Sequence, residues 1–203
     1  DESGMFLVES INITSLATCA GLLADRKSHL KLVQEHSVPK SGLARWIRTF
    51  AAAAWQFDGG PLDPSLTCTG GVGIFSAAPY TTVPYQAIGQ EYGKAFEMGR
   101  LAAHWCEVGN STILCWNLYG WTGAALDEEA AQRTDDLAQI VEEETGHHPG
   151  VMALMAADVN ADAEHIPTLD QLVREDQWTD VGAVASRWGG KDRQPTCKAS
   201  QVA

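Results

Sequence analysis

Short apolar, β-branched runs that stop on a single oxygen-bearing side chain recur along this chain, and they constrain its fold more than any other feature. Residues 6–13 read as a strand with Asn12 at its end. Residues 30–33 form a second run, closed by Gln34-Glu35-His36, and a third, Val72-Gly73-Ile74-Phe75, resumes after a Gly70-Gly71 turn signal. Residues 100–106 and 112–118 are separated by Gly109-Asn110, which predicts an antiparallel hairpin, and the second run leads to Tyr119. Residues 151–157 are continuously apolar, the pattern of a strand buried on both faces, and pass directly into Asp158-Val159-Asn160. Each run is too short to shield itself, so the strands must pair into sheets and the sheets must be covered.

The covers are legible as amphipathic helices. Over residues 43–55, Leu43, Trp46, Ile47, Phe50 and Ala54 fall at spacings of three or four, one apolar stripe. Residues 58–71, rich in Gly and Pro, read as loop. Residues 127–145 form the clearest helix: Asp127, Glu128 and Glu129 suit its positive N-terminal end, Ala130, Thr134, Leu137 and Val141 make an inner stripe, and Gly146 stops it. Pro167 starts a short helix running through Leu172, and the stretch from Trp178 onward reads as loop. The expected fold class is α+β, with two mainly antiparallel sheets packed face to face and flanked by helices.

The chain of 203 residues, 45% hydrophobic and 20% charged, reads as one globular domain over 1–203, long enough to bury a core without disulfide or metal staples. Its five cysteines include no CxxC pair, so they read as reduced thiols, with Cys106 and Cys115 placed to face one another across the hairpin. No apolar run approaches the roughly 20 residues that cross a bilayer, so no membrane association is expected and an intracellular location, the nucleus included, is. The net charge is −12, and it is uneven: residues 127–180 carry 15 acids against Arg133 and Arg174. Such a field repels polyanions at long range, although Arg26, Lys27, Lys31, Lys40, Arg45 and Arg48 give the N-terminal part positive character.

Asn12, Glu35 and the Asp158/Asn160 pair each fall at the end of an apolar strand. Strand ends at one edge of a sandwich converge, and a cluster of hard oxygen donors there is what Mg²⁺ or Mn²⁺ requires. Two residues apart along a strand, Asp158 and Asn160 would point the same way. The bland alternative is that Asp-x-Asn marks only a chain reversal and that Tyr119 is only a core aromatic.

These residues resemble, in order, the motifs of the metal-dependent endonuclease/exonuclease/phosphatase superfamily, whose fold is like that of deoxyribonuclease I. Ile11-Asn12-Ile13 is similar to its first-strand asparagine motif, Val33-Gln34-Glu35 to its Gln-Glu motif and Gly70-Gly71-Val72-Gly73-Ile74 to its Gly-Gly-Val strand. Trp116-Asn117-Leu118-Tyr119 is similar to its Asn-x-Tyr strand and Ala157-Asp158-Val159-Asn160-Ala161 to its Gly-Asp-Phe-Asn motif. The style is closest to endonuclease domains of non-LTR retroelements and their reverse-transcriptase polyproteins. The resemblance implies a four-layer α/β/β/α sandwich and a divalent-metal-dependent phosphodiester hydrolase, an endonuclease on nucleic acid, DNA foremost. By that resemblance Glu35 ligates Mg²⁺ or Mn²⁺, with Asn12 and Asp158 beside it. Asp158 activates or orients the attacking water, Asn160 holds the phosphate, Tyr119 offers its phenol to a phosphate oxygen and Asn12 positions metal or phosphate.

Ala157 replaces the family's glycine and Val159 its aromatic residue. Pro195-Thr196-Cys197 is similar to the family's Thr-rich loop, but neither its Ser-x-x-Asp strand nor its Ser-Asp-His motif is found, so a sandwich lacking its last strands and an impaired site are expected. His147-His148 and His36 do not fill that role; His36 reads as a surface neighbour of Glu35. A phosphatase on lipid or small phosphoesters, an inactive retroelement remnant or binding module, and an acidic protein without phosphoryl chemistry are the alternatives.

Overall fold

The computed structural model describes residues 5–25, 27–62, 70–188 and 191–193. Among them, eight strands build two four-stranded sheets. The first contains β1 (Val8–Asn12), β2 (Leu30–Gln34), β3 (Trp55–Gly60) and β4 (Val72–Ala77) in the order β1-β2-β4-β3. The second contains β5 (Thr82–Pro84), β6 (Leu101–Val108), β7 (Ser111–Tyr119) and β8 (Met152–Asp158) in sequence order. Each sheet is mixed, with β1–β2 and β7–β8 parallel and the other pairs antiparallel. Five helices flank them: α1 (Leu16–Leu23), α2 (Lys40–Ala51), α3 (Gln90–Glu97), α4 (Glu128–Gly146) and α5 (Pro167–Arg174). No helix among the described residues is long and apolar enough to cross a membrane.

The expected β6–β7 hairpin is present with Gly109 in its turn, and Cys106 and Cys115 are buried free thiols on its two strands. Cys68 and the Pro195-Thr196-Cys197 segment lie outside the described residues. Helix α4 begins as expected, its N-cap Asp127 accepting from the Glu129 N–H, and Ala130, Thr134, Leu137 and Val141 are all buried.

The structure corrects three readings of the sequence. Helix α2 starts three residues earlier than its apolar stripe and ends at Ala51; Ile47 is exposed, and Trp55 belongs to β3. Residues 58–60 are strand rather than loop, because neighbouring backbone leaves no room for a side chain at 59 and 60. A Cβ on Gly59 would lie 2.1 Å from the Val72 carbonyl oxygen, so glycine marks close strand approach, not a break. Finally, β8 is half-buried rather than enclosed: it pairs only with β7 among the described residues, and Met152 is 64% exposed.

Two clusters of packed side chains join each sheet to its helices, around Phe50, Phe57 and Phe75 on one side and Tyr85, Tyr92 and Trp116 on the other. A third fills the space between the sheets, where Leu32, Ile74, Cys115 and Tyr119 meet. Within it lies a polar bridge. The Gln34 amide donates to the Asn117 Oδ1 at 2.6 Å, and the Asn117 amide donates to the carbonyls of Val33 and Gly73, both at 2.9 Å. Both side chains are buried, and the hydrogen bonds tie β2 and β4 to β7 at one fixed level.

Candidate active site

The two parallel strand pairs end at the same level. Register places Asn12 opposite Gln34 in the first sheet and Tyr119 opposite Asp158 in the second, so four strand ends arrive at one corner of the sandwich. The Gln34–Asn117 bridge sits one residue before Glu35 and two before Tyr119, which sets the height at which the sheets present these side chains to one another.

All five expected residues gather there. The Tyr119 hydroxyl donates to Glu35 Oε1 at 2.7 Å. The Asn12 amide donates to the same Glu35 oxygen at 3.3 Å and to Asp158 Oδ2. Asn160 closes the group, its backbone N–H donating to Asp158 Oδ1 at 3.2 Å and its side-chain amide to the Gly120 carbonyl at 3.3 Å. Glu35, Asp158 and Asn160 are half-buried, Asn12 is exposed, and Tyr119 is buried with only its hydroxyl end at the group.

Two of these residues sit in left-handed backbone, Glu35 at φ 58° and Asn160 at φ 53°. For Asn160 this corrects the expectation that it follows Asp158 along one strand. The strand stops at Asp158, whose carboxylate caps the turn, so the chain-reversal reading and the functional reading describe the same residues. For a glutamate the left-handed region is unfavourable, and the residue that follows it, His36, is anchored in the core. His36 is not the expected surface neighbour: it is buried, Nδ1 accepting from the Val38 N–H at 3.0 Å and Nε2 donating to the Gly60 carbonyl at 2.9 Å. Gly71, at φ 84°, passes so close that a Cβ would lie 2.4 Å from the imidazole. Burial lowers the His36 pKa to about 4, so the ring is a neutral strut and not an acid catalyst.

Burial, followed by the hydrogen bond to Glu35, raises the Tyr119 phenol to about 12, so it remains a hydrogen-bond donor over the whole neutral range. Among the described residues no three His, Cys, Asp or Glu side chains cluster to cage a metal. The donor set does suit a hard divalent cation held with waters: two carboxylates converge on one point, and the positive end of the Asn12 amide dipole lies between them. Sequence reasoning missed Gln34 and Asn117 as the buried bridge and His36 as the strut; all three lie within or beside the motifs, but their contacts reach across sequence distances that no local pattern reveals.

The same architecture is found in solved structures. The chain superposes on the AP endonuclease LMAP from Leishmania major with a TM-score of 0.67 at 14% identity, covering 94% of this chain and 72% of that one. The fold is that of the deoxyribonuclease I-like sandwich. Its likeness extends to the endonuclease domain of TRAS1, a telomere-specific non-LTR retrotransposon, with a TM-score of 0.53 at 12% identity over 84% of this chain and 70% of that one. The 3′ phosphatase NExo from Neisseria, solved with a product DNA hairpin, gives 0.54 at 20% identity, covering 79% of this chain. This chain spans 61% of the length of that protein. By sequence, no protein-family model and no curated protein matches the chain.

Proposed function

We propose that this chain is the phosphodiester-cleaving part of a divalent-metal-dependent hydrolase, and that its substrate is nucleic acid, DNA foremost. The observation that carries the reading is the convergence of Asn12, Glu35, Tyr119, Asp158 and Asn160, from both sheets, in one hydrogen-bonded group at the open corner of a deoxyribonuclease I-like sandwich. Glu35 and Asp158 would hold Mg²⁺ or Mn²⁺, and Asn12, whose N–H group lies between the two carboxylates, would join them only by turning its Oδ1 inward; the ion would polarise the phosphoryl oxygens and offset their charge as water attacks. Asp158, on the half-exposed side, orients the water and takes its proton. The Asn160 amide, fixed by the turn it occupies, faces a phosphate oxygen. Tyr119, protonated to about pH 12, supplies a hydrogen bond to a second oxygen and not a base.

The test is nicking of a supercoiled plasmid and of a duplex carrying an abasic site, with Mg²⁺ or Mn²⁺ against EDTA. Wild type is expected to cleave with metal only, and Glu35→Gln and Asp158→Asn to lose activity by about a hundredfold or more, the range of a positioned acid–base group. Equal cleavage in EDTA, or by either variant, overturns the reading. The net charge of −12 favours a second reading, a phosphatase for small or terminal phosphoesters. A 3′-phosphorylated oligonucleotide in the same assay separates the two.

A further inference from the structure

Arg100 stands immediately before β6 and is buried at 5% exposure, an expensive place for a permanent charge. Its guanidinium meets the last residue of β7 and the two residues that follow it. The guanidinium carbon lies 4.7 Å from the ring centre of Tyr119 and 4.7 Å from that of Trp121. Between those two rings, Nη1 donates to the Gly120 carbonyl at 2.9 Å. The Arg100 carbonyl in turn accepts from the Tyr119 N–H at 2.8 Å. Gly120 is itself shared: its carbonyl also accepts the Asn160 amide, and its N–H donates to the Asp158 carbonyl at 2.7 Å.

We propose that Arg100 is a positioning residue of the site: its planar guanidinium clamps Tyr119 and Trp121 and grips the Gly120 carbonyl, so that the Tyr119 hydroxyl stays on Glu35 and the Asn160 amide stays beside Asp158. The inference rests on the hydrolase reading given above. A planar cation is required because it stacks on aromatic faces while donating in its own plane, which a lysine ammonium cannot do at once. One side chain thereby couples the phenol and the amide, which the sequence separates by 41 positions and which belong to the end of β7 and to the turn after β8.

The experiment combines kinetics with amide exchange on the full chain. Arg100→Met is expected to lower kcat on the oligonucleotide by roughly tenfold to a hundredfold, with KM changed less than about threefold, because substrate contacts are untouched. In a Tyr119→Phe background the same substitution should cost less than it does in the wild type, since part of its effect acts through the phenol and the rest through Asn160. Added guanidinium ion should restore part of the rate to Arg100→Ala. Exchange of the Gly120–Thr122 amides should quicken in Arg100→Met while those of α4 stay protected. Should Arg100→Met fail to fold, Arg100→Lys keeps the charge without the stack and should show the same exchange change with a smaller kinetic loss. Wild-type kcat in the folded variant, full additivity with Tyr119→Phe, or unchanged exchange in that segment each overturns the proposal. If wild type cleaves nothing, the hydrolase reading falls, and the exchange result alone decides whether Arg100 holds this corner.

Discussion

Replacing Asn117 by alanine should be among the most costly single changes in this protein. The substitution removes three hydrogen bonds, one accepted from Gln34 and two donated to strand carbonyls, at about 1 kcal/mol each net. It also leaves the buried Gln34 amide with only its 3.4 Å contacts to the Leu32 carbonyl and the Ser10 hydroxyl, which adds on the order of 1–3 kcal/mol of uncompensated burial. The sum is about 4–6 kcal/mol, a large part of the roughly 5–15 kcal/mol that holds a domain folded. In urea, with a slope of about 2 kcal/mol/M, the unfolding midpoint should fall by about 2–3 M with the slope unchanged. Gln34→Ala should be costly too, and the double variant should lose less than the two singles together, by roughly 1–2 kcal/mol, because the pair shares one hydrogen bond. A loss below about 1 kcal/mol for Asn117→Ala, or strict additivity with Gln34→Ala, would refute the argument that this bridge fixes the level of the two sheets.

Acid should weaken the protein before the carboxylates titrate. His36 is held at about 4 against 6.5 in the unfolded chain, so its stabilising contribution is complete above pH 6.5 and is lost as pH falls towards 4, roughly 3 kcal/mol over the window. Urea midpoints at pH 7 and pH 5 should differ, and His36→Gln should reduce the difference; equal midpoints in the wild type would contradict the buried neutral imidazole. Glu144 is also buried, which pushes its carboxyl up, but the Ile88 N–H, the Tyr85 hydroxyl and the Gly89 N–H together hold it below its ordinary value. Glu144→Gln should lower Tm by about 6 °C at neutral pH, from roughly 2 kcal/mol of weakened charged hydrogen bonds, and the gap to wild type should narrow as pH drops below about 4.5. A calorimetric series over pH 3–8 checks the direction as well as the size.

What the sequence revealed, and what it hid, follows from the range of the forces involved. The hairpin of β6 and β7, the helix α4 with its Asp127 cap, and the strands that end on Asn12, Gln34, Tyr119 and Asp158 are written in local periodicity and turn chemistry. Strand β3 was hidden because Gly59 and Gly60 look like a break until the close approach of β4 to the first and of the end of α3 to the second gives them a reason. Helix α3 was hidden by the glycine at its centre, and β5 by its length of three residues. The site residues could be named from their motifs, yet their arrangement could not. Whether Glu35 meets Tyr119, and what Arg100 and Asn117 do between them, is decided by packing between segments about 80 residues apart or by contacts one strand away.

Among the described residues, every strand of the first sheet lies between residues 8 and 77, and every strand of the second between 82 and 158. The reactive corner is therefore a joint possession, Asn12 and Glu35 from the former stretch and Tyr119, Asp158 and Asn160 from the latter. Severed in the turn at 78–81, the polypeptide would part into two pieces, each carrying an incomplete set of groups. Any turnover recovered on mixing them would then measure how faithfully the pieces had found each other again.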